Sequence, residues 1–173
     1  DLKRNLVELK RGLPYQIDNS NQIEGYLNLD IKMETGTGKT YVYTQTIFEL
    51  HKNYGLNKFI ILVPSIAIKI GTTNFINSDE TRRHFREIYG AEIDLTILDA
   101  KKNKKEVFPN AVREFVSASG LIRNQISVLV INNLVSQSSL TKNYSSGVEG
   151  FYNPVDAIKA TKPIIIIDEP HRF

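Results

Sequence analysis

The 173-residue chain contains no cysteine, which excludes disulfide scaffolds, thiolate metal sites and cysteine nucleophiles together. No apolar run approaches the roughly 18 residues of a membrane-spanning helix. The opening Asp1-Leu2-Lys3-Arg4 does not lead into the apolar stretch that a secretory signal needs. Excess charge is scarce too: 22 basic residues face 19 acidic ones. Four of the lysines fall in one pentad, Lys101-Lys102-Asn103-Lys104-Lys105, and without them 18 basic residues face the same 19 acids. The excess is therefore one local patch, either a solvated connector or a contact for a phosphate backbone. Internal repeats and low-complexity tracts are missing as well. What is there is ordinary: 41% hydrophobic and 24% charged residues suit a globular domain with a sizeable core. The expectation is a soluble, cytoplasmic domain with no membrane contact.

Apolar runs of strand length recur along the chain. Leu29 to Met33 alternates, Phe59 to Val63 is continuous, Ile93 to Leu98 alternates, and Ile126 to Ile131 and Ile164 to Ile167 complete the set. Short, β-branched, nearly continuous runs suit strands buried on both faces, as in parallel sheets. Helices are expected between them, over Lys39 to Asn53, Ser65 to Asn77, Glu80 to Tyr89 and Asn110 to Ser119. In the first, Val42, Thr46, Ile47 and Leu50 fall near the spacing of one helix face. Alternating strands and helices predict an α/β fold with a mainly parallel sheet flanked by helices. The stretch Ser136 to Asn153, rich in Ser, Asn, Gly and Tyr, reads as a surface excursion before the last strand.

The most informative segment is Met33-Glu34-Thr35-Gly36-Thr37-Gly38-Lys39-Thr40. It follows an expected strand and opens an expected helix, the context of a phosphate-binding loop. Gly36 and Gly38 permit a tight turn in which successive N–H groups point at phosphate oxygens. The helix opening near Lys39 adds its positive end. Lys39 would supply charge at the β- and γ-phosphates of ATP, and Thr40 a hydroxyl for Mg²⁺. Glu34, Thr35 and Thr37 complete the expected ATP-binding set. The strict pattern wants glycine where Met33 stands, so the competing reading is a plain strand–turn–helix joint with a solvated lysine.

The second segment is Ile164-Ile165-Ile166-Ile167-Asp168-Glu169-Pro170-His171. Four isoleucines predict a buried strand whose carboxyl end delivers two adjacent acids. Ligands of open α/β sheets bind at that edge. Phosphoryl transfer to water needs one acid to hold Mg²⁺ and a group to orient the attacking water. Asp168 suits the first role and Glu169 the second. His171, two residues beyond the acids, is placed to sense nucleotide state. Alone, an Asp-Glu pair is more often a strand-end cap; after the glycine loop it becomes a strong signal.

Met-x-x-Gly-x-Gly-Lys-Thr with Asp-Glu-x-His resembles the paired signature of superfamily 2 helicase-like ATPases, which tolerate a non-glycine residue at the Met33 position. More narrowly, the run Leu27 to Tyr43, Val63-Pro64-Ser65-Ile66-Ala67-Ile68-Lys69 and Asp168-Glu169-Pro170-His171-Arg172-Phe173 resemble the restriction (Res) subunit of type III restriction–modification enzymes. So do Phe108-Pro109, Arg113 to Val116 and Gly147 to Tyr152.

The resemblance implies a RecA-like P-loop NTPase lobe over residues 27–173, preceded by a flanking segment over 1–26. It further implies two such lobes with Mg-ATP between them, moving along double-stranded DNA. A nuclease domain would follow the motor, and modification (Mod) methyltransferase subunits would recognise the site. The second lobe and the nuclease domain would belong to the same parent chain beyond the acid–histidine box. The catalytic set is then Lys39, Asp168, Glu169 and His171, with Thr40 and Asp168 on the metal. By the same resemblance Val63-Pro64-Ser65 meets the DNA backbone. Ser65 would cap the next helix, whose N–H groups bind phosphate without reading sequence, and Lys69 lies one turn on. Another superfamily 2 helicase acting on DNA or RNA, or a non-hydrolysing nucleotide switch, are the competing functions.

Overall fold

The computed structural model describes residues 31–34, 36–99, 107–118, 124–132, 135 and 137–173. The chain divides into two compact units, residues 1–39 and 40–173. The elements run α1 (Lys39–Tyr54), β1 (Lys58–Val63), α2 (Ile66–Asn77), α3 (Asp79–Tyr89), β2 (Glu92–Leu98), α4 (Asn110–Ser117), β3 (Gln125–Asn132), α5 (Gln137–Thr141), α6 (Pro154–Ala160) and β4 (Ile164–Ile167), with a final 3₁₀ turn over Pro170–Arg172.

The four strands form one sheet in the order β2-β3-β1-β4, and every pairing is parallel. β1 and β3 lie in the middle, and their runs are continuous because both faces are covered. Phe59, Ile61, Val63, Ile126, Val128 and Val130 join one core with Ile47 and Phe48 of α1, Ile76 of α2 and Phe85 of α3. Ile60 and Leu129 point the other way, into a second core with Phe108, Val112, Phe115, Tyr144 and Ala157. The sheet is thus sandwiched between two helical layers, the α/β lobe that the alternating pattern predicts.

Caps set the helix ends. The Ser78 hydroxyl accepts from Thr81 N–H at 3.2 Å and opens α3, with Asp79 and Glu80 in its first turn, where acids suit the positive helix end. Gly90 closes it at φ 64°. Phe48 stacks on Phe85 with centroids 4.7 Å apart, which locks α1 onto α3.

Three expectations need correction. Of the strand expected over 29–33, Leu29 and Asp30 lie outside the described residues, and Ile31 to Met33 adopt no strand. Ile31 is 63% exposed; alternation makes a strand only where a neighbour pairs with it and covers its apolar side. The buried face of α1 is Thr44, Ile47 and Phe48, not Val42 and Thr46, because the Phe48 ring drags the contact stripe towards α3. β4 is only half buried. Among the described residues it pairs with β1 alone, so Ile164 and Ile166 pack on the first core while Ile165 and Ile167 stay exposed. The lysine pentad 101–105 lies outside the described residues.

Candidate nucleotide site

The glycine loop takes the backbone shape that its composition allows. Gly36 and Gly38 sit at φ 82° and 85°, a region that costs an L-residue roughly 1–2 kcal/mol. The carbonyl of Glu34 accepts from the Thr37 hydroxyl at 2.6 Å and from the Thr37 N–H at 3.4 Å, closing the turn between the glycines. Glu34, Gly36, Thr37 and Gly38 are exposed, and Thr35 lies outside the described residues. α1 opens at Lys39 directly after the loop, so the first amides of a 16-residue helix follow two left-handed glycines. That is a shape in which backbone donors gather around an anion.

Within residues 40–173, Thr40 and Asp168 share a neighbour. The half-buried Tyr43 phenol hydrogen-bonds to the Thr72 hydroxyl at 2.8 Å. Burial is the main reason its pKa is raised; the neighbouring Thr40 and Thr72 hydroxyls oppose that rise, and the Asp168 charge adds to it. The Asp168 N–H donates to Leu62 carbonyl at 2.9 Å, so the acid leaves the sheet directly from the β1–β4 ladder. A hydroxyl and a carboxylate are both hard oxygen donors, which is the donor chemistry Mg²⁺ prefers. Among the described residues no group of three or more His, Asp or Glu side chains could hold a metal ion.

Glu169 has left-handed backbone, at φ 52° and ψ 59°. Its Oε2 lies 3.0 Å from Arg172 Nε, and the Arg172 N–H donates to the Glu169 carbonyl at 3.0 Å. A non-glycine residue in this region stores strain of about 1–3 kcal/mol. His171 is exposed in the 3₁₀ turn.

At the carboxyl end of β1, Ser65 has extended backbone and its hydroxyl accepts from Ile68 N–H at 3.2 Å, so it caps α2. Lys69 is held by a different group: its ammonium is ion-paired with Asp99, which follows β2. Its side chain is 13% exposed, so the charge expected at a DNA backbone is largely offset within the protein. Asn132, at the end of β3, is buried, and among the described residues its Oδ1 has no hydrogen-bond partner. The Val135 N–H donates to the Asn132 carbonyl at 3.1 Å, in keeping with a turn.

Residues 9–173 match the family model described as the type III restriction enzyme, res subunit. The chain belongs to that family. It is 45% identical to the EcoP15I Res subunit of Escherichia coli over 174 residues, covering 96% of this chain and 18% of that protein. It is 47% identical to the EcoPI Res subunit of Escherichia phage P1, covering 84% of this chain and 16% of that protein. The StyLTI Res subunit of Salmonella typhimurium is 44% identical, with the same coverage of 84% and 16%. The chain therefore spans less than a fifth of the length of these relatives. It is the helicase-like part of a type III Res subunit.

Sequence reasoning missed Tyr43, Asp99 and Arg172. Tyr43 stands three residues after Thr40, which puts both on one face of α1, and that spacing was the available signal. Arg172 likewise stands three residues after Glu169. Asp99 had no local signal, because it meets Lys69 only through the parallel crossover.

Proposed function

We propose that residues 27–173 form the first RecA-like motor lobe of an ATP-dependent DNA translocase in a type III restriction system, with residues 1–26 as a flanking segment. The observation that carries this reading is the pair of left-handed glycines opening α1, in a chain of the Res family. In this reading the amides of Gly36 to Lys39 surround the phosphates of ATP, with Glu34, Thr35 and Thr37 shaping the loop. The Lys39 ammonium balances charge at the β- and γ-phosphates. Thr40 and Asp168 hold Mg²⁺, which when bound supplies charge neutralisation at the phosphoryl group. Glu169 orients the attacking water, with Arg172 holding its carboxylate, and His171 reads the outcome at the adjacent turn.

On the DNA side, the N-terminus of α2, capped by Ser65, binds a backbone phosphate through its amides. Lys69 contributes there only to the extent that Asp99 releases it. Double-stranded DNA, Mod methyltransferase subunits, and a second RecA-like lobe and nuclease domain of the same parent chain are the partners this reading requires. The setting is cytoplasmic; among the described residues no helix is long and apolar enough to cross a membrane.

Two substitutions in the full-length protein test the assignment. Lys39→Ala should lose ATP binding and hydrolysis together. Glu169→Gln should keep ATP binding and lose turnover by at least about a hundredfold, the scale of general-base catalysis. Normal turnover in the Glu169 variant would sink the role given to it.

A further inference from the structure

The segment Gly147 to Tyr152 takes no part in the nucleotide or DNA reading, yet it is held firmly. Val148 and Phe151 exchange backbone bonds of 2.9 and 2.8 Å, and the Tyr144 N–H donates to the Tyr152 carbonyl at 3.0 Å. The turn runs through Glu149 and Gly150 at φ 48° and 83°, a region that strains a non-glycine residue. The Tyr144 hydroxyl donates to the Ser139 carbonyl at 2.7 Å. Asn153 donates to the Thr141 carbonyl at 2.6 Å and accepts from the first amides of α6. This frame leaves Tyr152 57% exposed. An aromatic ring fixed in water loses little conformational freedom when a partner covers it.

Tyr152 lines a groove of about 430 Å³ together with Asn143, Tyr144, Phe151 and Asp156, a size that suits a bound group. Among the described residues Asp156 is its one charged liner. Its carboxylate forms no ion pair among them, although Lys159 stands three residues on along α6. The Lys142 ammonium already lies 4.9 Å from the centre of the Tyr144 ring, whereas no described cation lies over Tyr152. A carboxylate with no lining cation repels phosphate, which argues against a nucleic-acid backbone here. We propose that the groove docks an arginine side chain of a protein partner. The guanidinium stacks on Tyr152 and gives a charge-assisted hydrogen bond to Asp156, with the exposed Asn143 amide oxygen as a further acceptor. This inference does not depend on the Mg-ATP reading.

The test is a saturation-transfer NMR titration of the full-length protein with N-acetyl-arginine amide, and separately with cytidine, with chemical unfolding measured alongside. The arginine probe should bind with millimolar affinity and weaken as salt is added. Asp156→Asn should weaken it about tenfold, the scale of a hydrogen bond to a charged group. Tyr152→Leu should weaken it about threefold, the scale of an exposed cation–π contact, and it decides the matter if the Asp156 variant does not fold. Equal affinity in the wild type and both variants would overturn the proposal. So would cytidine binding more tightly than the arginine probe and being lost in the same variants, which would make the groove a nucleobase site.

Discussion

Gly38→Ala separates the loop's function from its stability. Gly38 sits at φ 85°, and an added Cβ there would meet no described atom within 4 Å. The described atoms therefore add no steric cost, and what they leave is the backbone cost of holding alanine in the left-handed region, roughly 1–2 kcal/mol. An exposed loop can escape that cost by relaxing to negative φ, but doing so swings its amides away from the phosphates. The cost then falls on nucleotide binding, as an affinity loss of about 5- to 30-fold.

Gly147→Ala is the opposite case. A Cβ there would lie 1.9 Å from the Phe151 carbonyl oxygen, a backbone atom in the short bridge between Val148 and Phe151. The neighbouring Tyr144 N–H to Tyr152 carbonyl bond of 3.0 Å would open with it. That overpacking should lower stability by about 1–3 kcal/mol and leave nucleotide affinity alone. The assay is ATP-analogue binding and chemical unfolding on both full-length variants. Wild-type affinity in the Gly38 variant would refute the claim that positive φ at this position aims the loop at phosphate.

Two further outcomes follow from the ion pairs and hydrogen bonds. Asp99→Asn should release Lys69 and tighten DNA binding, steepening the dependence of log affinity on log salt by about one unit; an unchanged slope would mean that Lys69 does not reach a phosphate. Tyr89 donates to Glu49 Oε1 at 2.6 Å, and that bond is the main reason the Glu49 pKa is lowered. Because the folded-state value is depressed, the bond's stabilisation is present above the ordinary carboxylate range and is lost as pH falls through the lowered value. Tyr89→Phe should move the Glu49 titration, followed by NMR, upwards towards its ordinary position; no movement would assign the shift to Asn53 and Lys52 instead.

The sequence was most legible where one physical cause acted alone. β1 and β3 are buried on both faces, so their apolar runs are continuous and their bounds nearly those expected. α3 carries its own cap, first-turn acids and closing glycine, all local signals. α6 was missed although Asn153 and Pro154 mark its start, because a seven-residue helix gives no periodicity to read. β4 was read as fully buried because four isoleucines look alike whether or not a second face is covered. In the candidate site the glycine loop and the acid pair were legible as local motifs. The Lys69–Asp99 pair was not, since it joins the ends of two different strands' connections and depends on the sheet order β2-β3-β1.

The most direct test of the motor reading is Mg²⁺-dependent ATP hydrolysis by the full-length protein, with and without duplex DNA. Strong stimulation by DNA is the predicted result. ATP binding without turnover under either condition would contradict it, leaving Asp168 and Glu169 as structural acids and the lobe as a nucleotide-operated switch.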